Sequence, residues 1–260
     1  MELSIAERKR QRLFLVLCGI FLTNALIAEI VGGKIFSVEA LLGIAPVQIP
    51  IGGQKMDFNM TAGVVNWPIV FLTSDIINEY FGRKGVKRIS YLTSAFIVYT
   101  FFTIFISTQL PPAQFWLEVN KTDSQGNPFN INEAFTKVFN QGLGIMIGSI
   151  TAFLLGQFLD VFVFSWLRRK TGTRYIWLRA TGSTMFSQLV DSFVVIGIAF
   201  YVFGNWDLSQ VFSVGSINYL YKALVAILMT PLLYVAHYFI DGYLGKEYAE
   251  ELSHKAAHEQ

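Results

Sequence analysis

Six apolar runs divide the chain, at 13–31, 61–80, 89–109, 142–167, 181–203 and 218–240. Each holds about 19–26 residues, enough for a helix to cross a hydrocarbon core of about 30 Å. Backbone N–H and C=O groups cannot stay unpaired in lipid, so these runs predict helices. The segments between them have patterns of their own. Residues 47–60 alternate in places around Gly52-Gly53, which predicts a β-hairpin. Pro111-Pro112 closes the third run. Ile131, Phe135, Val138 and Phe139 recur at helical spacing and predict a short helix on the outer surface. The expected fold class is an all-α membrane protein. It is a bundle of six transmembrane helices, with a small extracytoplasmic β-hairpin and a short surface helix in the outer loops.

Composition strengthens this reading. Of 260 residues, 53% are hydrophobic and 15% charged, where a soluble domain carries about 25% charge. Mean hydropathy is +0.47. Lys and Arg then set the direction of the spans. Arg8, Lys9, Arg10 and Arg12 precede the first run. Arg83, Lys84, Lys87 and Arg88 separate the second from the third. Arg168, Arg169, Lys170, Arg174 and Arg179 separate the fourth from the fifth. Every second connection is basic, so both termini are expected in the cytoplasm. Residues 1–12 then form a basic cytoplasmic N-terminus, 13–241 the six-helix transmembrane domain and 242–260 a cytoplasmic tail. No small-residue cleavage site closes the first run, which reads as a span rather than a signal peptide. A net charge of +2 makes no electrostatic case for nucleic acid. The single cysteine, Cys18, excludes an intrachain disulfide and a multi-cysteine metal site. No metal or cofactor is expected.

Acids and amides inside apolar runs carry the functional signal. A charged side chain at the bilayer centre costs roughly 2.5–3.5 kcal/mol on insertion scales, so several of them imply an internal polar chamber. Asp75 and Glu79 are four apart and share a helix face. Gln157 and Asp160 are three apart, and Gln188 and Asp191 repeat that spacing on the next helix. Thr184 and Ser187 extend the second polar face. Asn24 and Glu29 lie on the first span, Ser183 on the fifth, and Lys222 enters the sixth from outside. Structural roles compete: Asp75 and Glu79 could pair with Arg83 or Arg88, Asp160 with Arg168 or Arg169, and Lys222 could snorkel outward. Asp191 has no basic partner nearby in sequence. The tryptophans suit interfacial anchoring. Gly144, Gly148, Ala152 and Gly156 recur at four-residue steps and suit close helix packing.

Three stretches resemble the queuosine-precursor transporter family, also called the VUT family of vitamin-uptake-type transporters. They are GVVNWPIVFLTSDIINEYFGRKGVKR at 63–88, GQFLDVFVFSWLR at 156–168 and WLRATGSTMFSQLVDSFVVIGIAF at 177–200. Asn24 and the stretch from Tyr221-Lys222 to Pro231 fit as well. The resemblance implies a multi-pass protein of the cell inner membrane. Its cargo would be a 7-deazaguanine such as 7-cyano-7-deazaguanine, 7-aminomethyl-7-deazaguanine or queuine. The residue chemistry is compatible with such a flat, purine-like solute. One carboxylate accepts two parallel N–H donors, and an amide serves the carbonyl beside them. Asp191 or Asp160 is expected to accept the donor edge, with Gln188, Gln157, Ser183 and Asn24 completing the substrate site. Asp75, Glu79, Glu29 and Lys222 are expected to gate or couple transport.

Two other functions compete. A substrate-binding subunit driven by an ATPase partner would share the same core. The chain has no G-x-x-x-x-G-K-[ST] loop, so ATP use would need another protein. An intramembrane enzyme is not expected, because no GxGD, HExxH or GxSxG stretch occurs. The lipid bilayer and a small purine-like molecule are the expected partners. Neither an energising partner nor an oligomeric state can be read from the sequence.

Overall fold

Helix α1, Ile5–Val31, starts inside the basic segment because Ser4 and Glu7 close a capping box. The Ser4 hydroxyl accepts from the Glu7 N–H at 3.2 Å, and the Glu7 carboxylate accepts from the Ser4 N–H at 2.9 Å. Leu17, Phe21, Ala25 and Ala28 form its buried stripe. The computed structural model describes residues 4–32, 34–51, 54–139, 143–172, 175–202 and 206–258.

A small β-rich segment follows. Strand β1, Ile35–Ser37, leads into the one-turn helix α2, Val38–Leu42, and then β2, Ile49–Ile51, β3, Gln54–Met56, and β4, Asn59–Thr61. Strands β2 and β3 pair antiparallel with Ile51 opposite Gln54, which is the predicted hairpin. Gly52 and Gly53, on which the prediction centred, lie outside the described residues, as do Gly142 and Phe203. Strand β1 pairs with β4, Ile35 opposite Thr61. Glu39 pins the segment from within: its carboxylate accepts from the Phe58 N–H at 2.7 Å and the Ser37 hydroxyl at 2.9 Å. The Phe58 N–H holds this carboxyl below its usual range.

A 3₁₀ turn, Ala62–Val65, brings Gly63 against Ala28 so closely that a Cβ there would strike the Ala28 carbonyl. Helix α3, Trp67–Gln109, then carries the second and third apolar runs as two arms, 67–81 and 83–109. Gly82 breaks it with φ 67° and ψ −174°, a conformation closed to side chains. Short helices α4, Gln114–Val119, and α5, Ile131–Phe139, follow; α5 is the predicted short helix. Helices α6, Leu143–Thr171, and α7, Ile176–Ile196, pack face to face, and α7 runs into a π-helical segment, Gly197–Val202. Helix α8, Leu208–Leu244, begins at an Asp207–Gln210 capping box. Helix α9, Lys246–His258, folds back onto α3, burying Ala249, Leu252, Ser253 and Ala256.

The core is continuous through Phe21, Val70, Ile77, Ile97, Phe153, Val161 and Phe164. Among the described residues, 4 helical stretches are long and apolar enough to cross a membrane: Ile5–Val31, Trp67–Gln109, Gly148–Thr171 and Leu208–Leu244. The fifth apolar run falls on α7, whose hydroxyl and amide residues dilute its hydropathy.

One end of the bundle is locked by charge. Glu79, 4% exposed, accepts from two buried arginines. The Arg179 guanidinium reaches its Oε1 at 2.8 Å and its Oε2 at 3.2 Å, and Arg168 reaches Oε1 at 3.3 Å. The Ser253 hydroxyl of α9 donates to Glu79 at 2.7 Å, and Arg168 also reaches the Ser253 backbone carbonyl. Arg168 further donates to the Asn78 carbonyl at 3.2 Å, and Arg179 to that of Gly172 at 2.8 Å. Lys9 joins the same end by donating to the Tyr243 carbonyl at 2.7 Å.

Two outcomes follow. Glu79→Gln leaves two buried guanidinium groups without a counter-charge. It is expected to lower stability by about 3–5 kcal/mol, read as a fall in the thermal midpoint of the detergent-purified protein. Gly82→Ala forces a side chain into a glycine-only backbone region, with its Cβ 3.4 Å from the Ala256 carbonyl. A loss of about 1–3 kcal/mol is expected in the same assay. An unchanged midpoint would show that the break relaxes freely.

Candidate functional site

A cavity of about 450 Å³ lies towards the strand end of the bundle, opposite the locked end. Helices α1, α3, α6, α7 and α8 and the β segment all contribute to its wall. Its volume falls within the range of small-molecule sites. The lining is mixed: Trp67, Phe153 and Trp206 give flat apolar surface, while Glu29, Ser149, Asp191, Ser192, Asn218 and Lys222 give polar contacts. Trp67 and Phe153 adjoin, ring centroids 5.7 Å apart. Asp57, Asn59 and Met60 place the β segment on the same cavity.

Two polar pairs mark this wall. Lys222 of α8 forms an ion pair with Asp191 of α7, their side chains 21% and 15% exposed. Partial exposure keeps such a pair reachable by a solute. Gly156 faces it from α6, where an added Cβ would lie 3.6 Å from the Asp191 Cβ. The second pair joins α1 to α6: the Ser149 hydroxyl lies 2.6 Å from both oxygens of Glu29. Ser192 Oγ, buried on the same wall, has no partner among the described residues.

A second polar tier occupies the facing surfaces of α3, α6 and α7. The Gln157 Oε1 accepts from the Ser74 hydroxyl at 3.2 Å. Asp160 Oδ1 accepts from Thr184 at 3.2 Å and Ser187 at 3.4 Å. Ser183, on the same helix, donates to the Ala180 carbonyl at 3.1 Å. Four buried atoms here have no partner among the described residues: the acceptors Asp75 Oδ1 and Gln188 Oε1, and the donors Asn78 Nδ2 and Gln157 Nε2. Unpartnered buried polar atoms are uncommon in folded proteins, because each carries its full desolvation penalty. Asp75 also edges a small cavity of about 30 Å³ beside Thr181 and Thr184, room for about one water.

The residues singled out from sequence thus fall into three groups. Glu29, Asp191 and Lys222 line the large cavity. Asp75, Gln157, Asp160, Ser183 and Gln188 are buried in the second tier. Glu79 belongs to the lock. Asn24 stands apart, holding α1 to the start of α3 by accepting from Asn66 Nδ2 at 3.0 Å. The partners differ from those that sequence proximity suggested. Glu79 pairs with Arg168 and Arg179 rather than Arg83 or Arg88. Arg168 leaves Asp160 to hydroxyls. Lys222 turns inward to Asp191, 31 positions away. Sequence reasoning passed over Ser149, Asn78 and the aromatic wall of Trp67 and Trp206. It read Arg179 as a topology signal only, and offered Arg168 as a partner for Asp160 rather than Glu79. Nothing in local spacing marks either arginine as buried; both are fixed by contacts 89 and 100 residues distant.

The chain was compared with known proteins. The family described as "Putative vitamin uptake transporter" matches residues 61–236, from β4 to α8. That stretch holds Asp75, Glu79, Gln157, Asp160, Gln188, Asp191 and Lys222, and leaves out Glu29 and Ser253. A Bacillus subtilis protein named "Probable queuosine precursor transporter" is 28% identical over 182 residues, 69% of this chain and 73% of that protein. A Haemophilus influenzae protein of the same name is 27% identical, covering 66% of each. The Escherichia coli "Queuosine precursor transporter" is 26% identical over 70% of this chain and 73% of its own length. No solved structure matches. The family match spans well over half of the chain and takes in both polar tiers and the lock, so the chain belongs to the vitamin uptake transporter family.

Proposed function

We propose that this chain imports a queuosine precursor across the cell inner membrane, with six helices crossing it and both termini in the cytoplasm. The observation that carries this reading is the cavity of about 450 Å³. Its aromatic wall suits a flat heterocycle, and its acid, amide, hydroxyl and ammonium groups suit a nitrogen-rich edge. The names of three relatives point to the same solute class. Orientation is supported by charge. Lys9, Arg168 and Arg179 gather at the α9 end, as expected of a cytoplasmic face. The cavity then faces outward, and Glu79 with its arginines closes the inner side.

The two tiers suggest a path. Solute enters beside Asp191, Lys222 and Glu29. It then meets Asp160, Gln157 and Gln188, whose free amide and carbonyl atoms match a guanine-like edge. Asn24 and Ser183, committed within the protein, support these contacts rather than make them. Asp75 and Glu79 form the inner gate. Release requires the lock to part, so the arginines must keep a counter-charge in the inward-open form. The chain carries transport alone, and its oligomeric state does not enter this path.

Liposomes holding only this protein should take up a deazaguanine. Asp191→Asn removes the partner of Lys222 and is expected to slow uptake at least about tenfold, since unpairing a buried charge costs about 2–5 kcal/mol. Asp160→Asn should act similarly. If Asp191→Asn inserts normally and transports at the wild-type rate, Asp191 is not on the path. Uptake that appears only with an ATPase partner would replace the stand-alone reading.

A further inference from the structure

The charges lining the large cavity do not balance. Glu29, Asp57 and Asp191 contribute carboxylates, and among the described lining residues only Lys222 contributes an ammonium. Lys222 is engaged by Asp191. Asp57, at the β rim, accepts the Gln48 N–H at 3.3 Å. Among the described residues Glu29 has only the Ser149 hydroxyl as a hydrogen-bond partner, at 2.6 Å from each oxygen, and a hydroxyl supplies one proton and no charge. Asp191 and Glu29 line the same cavity. Three carboxylates around one ammonium leave the cavity short of cations, and Glu29 is the one on the helical wall that no charged group answers among the described residues.

A bound solute can bring that cation itself. A primary ammonium offers three donors, and a carboxylate carrying one hydroxyl still has free lone pairs to accept them. The flat part of such a solute would lie along Trp67 and Phe153, which line the same cavity. We propose that Glu29 is a specificity-determining residue, which selects a planar purine-like solute bearing a primary ammonium over neutral analogues with the same ring. This rests on the import reading above and narrows its substrate. Glu29 lies on α1, outside the stretch matched by the family model.

The test is binding to the purified full-length protein by calorimetry, with four ring-matched probes: 7-aminomethyl-, 7-acetamidomethyl-, 7-methyl- and 7-cyano-7-deazaguanine. The aminomethyl compound is expected to bind at least about tenfold tighter than the other three, the ratio that one charge-assisted contact at the low end supplies. In Glu29→Gln that ratio should fall close to one, whatever the absolute affinities. Equal binding of all four to the wild type overturns the proposal and leaves the import reading standing. A preference that survives in Glu29→Gln overturns it too, because the cation is then recognised elsewhere. Binding of none overturns both. If Glu29→Gln fails to insert, Glu29→Asp takes its place: it keeps the charge but withdraws it by one CH₂, the ratio is expected to fall, and an unchanged ratio overturns the proposal.

Discussion

The structure turns on one buried carboxylate held by two buried arginines. Glu79 sits on α3, Arg168 at the end of α6, Arg179 at the start of α7 and Ser253 on α9. Four helices therefore meet at a single buried charge. Desolvating three ions costs several kcal/mol each, and mutual attraction offsets that only if each keeps its partners. The cluster is for that reason closer to all-or-none than a hydrophobic contact of equal size. It also explains why a polar helix folds back onto the bundle. α9 contributes Ser253, which bonds both Glu79 and Arg168.

The same physics separates the two ends. At the locked end every carboxylate oxygen of Glu79 is answered by a cation. At the strand end Asp191 and Lys222 pair while partly exposed, and Glu29 has a hydroxyl alone. Between them, amides and carboxylates are buried with atoms left over. Charge pairing thus changes along the bundle, from one shared ion pair at the cavity to unpartnered atoms in the middle to a carboxylate answered on both oxygens at the lock. A bundle built only for stability would have no use for the incomplete tier, where each unmet group costs about 1–3 kcal/mol. A path that must hold and then release a polar solute does.

Much of this was legible in the chain. Apolar length announced the helices, and the Gly-Gly pair between alternating residues announced the β2–β3 hairpin. Spacing of three and four put Gln157 with Asp160 and Asp75 with Glu79 on common faces, where the fold has them. What stayed hidden was partnership across helices. Hydropathy treats Arg168 and Arg179 as boundary markers, because a basic residue after an apolar run ordinarily faces the cytoplasm. Only the packing of α6 and α7 against α3 turns them inward. Lys222 was hidden for a related reason: its stem allows either snorkelling or an inward reach, and Asp191 decides between them. The break between the two arms of α3 rests on Gly82, whose left-handed φ cannot be told from composition.

The placement of the Asp191–Lys222 pair constrains how such a molecule can change state. When the cavity closes around a solute, water leaves and the effective dielectric falls, which strengthens attraction between the two and raises the cost of parting them. The pair must then travel as a unit, or exchange one partner for a charge on the solute. Gly156 matters here, since α6 meets Asp191 with backbone rather than side chain. α7 can shift past that smooth contact while its carboxylate keeps hold of α8. Glu29 has no such tether to a cation. It is the carboxylate of the cavity freest to answer the charge of what enters, and α1, which carries it, bonds α3 near that level through the Asn24–Asn66 amide pair. On the proposed reading, closure draws on an ion pair that stays intact and on an acid that gains its counter-charge from the cargo.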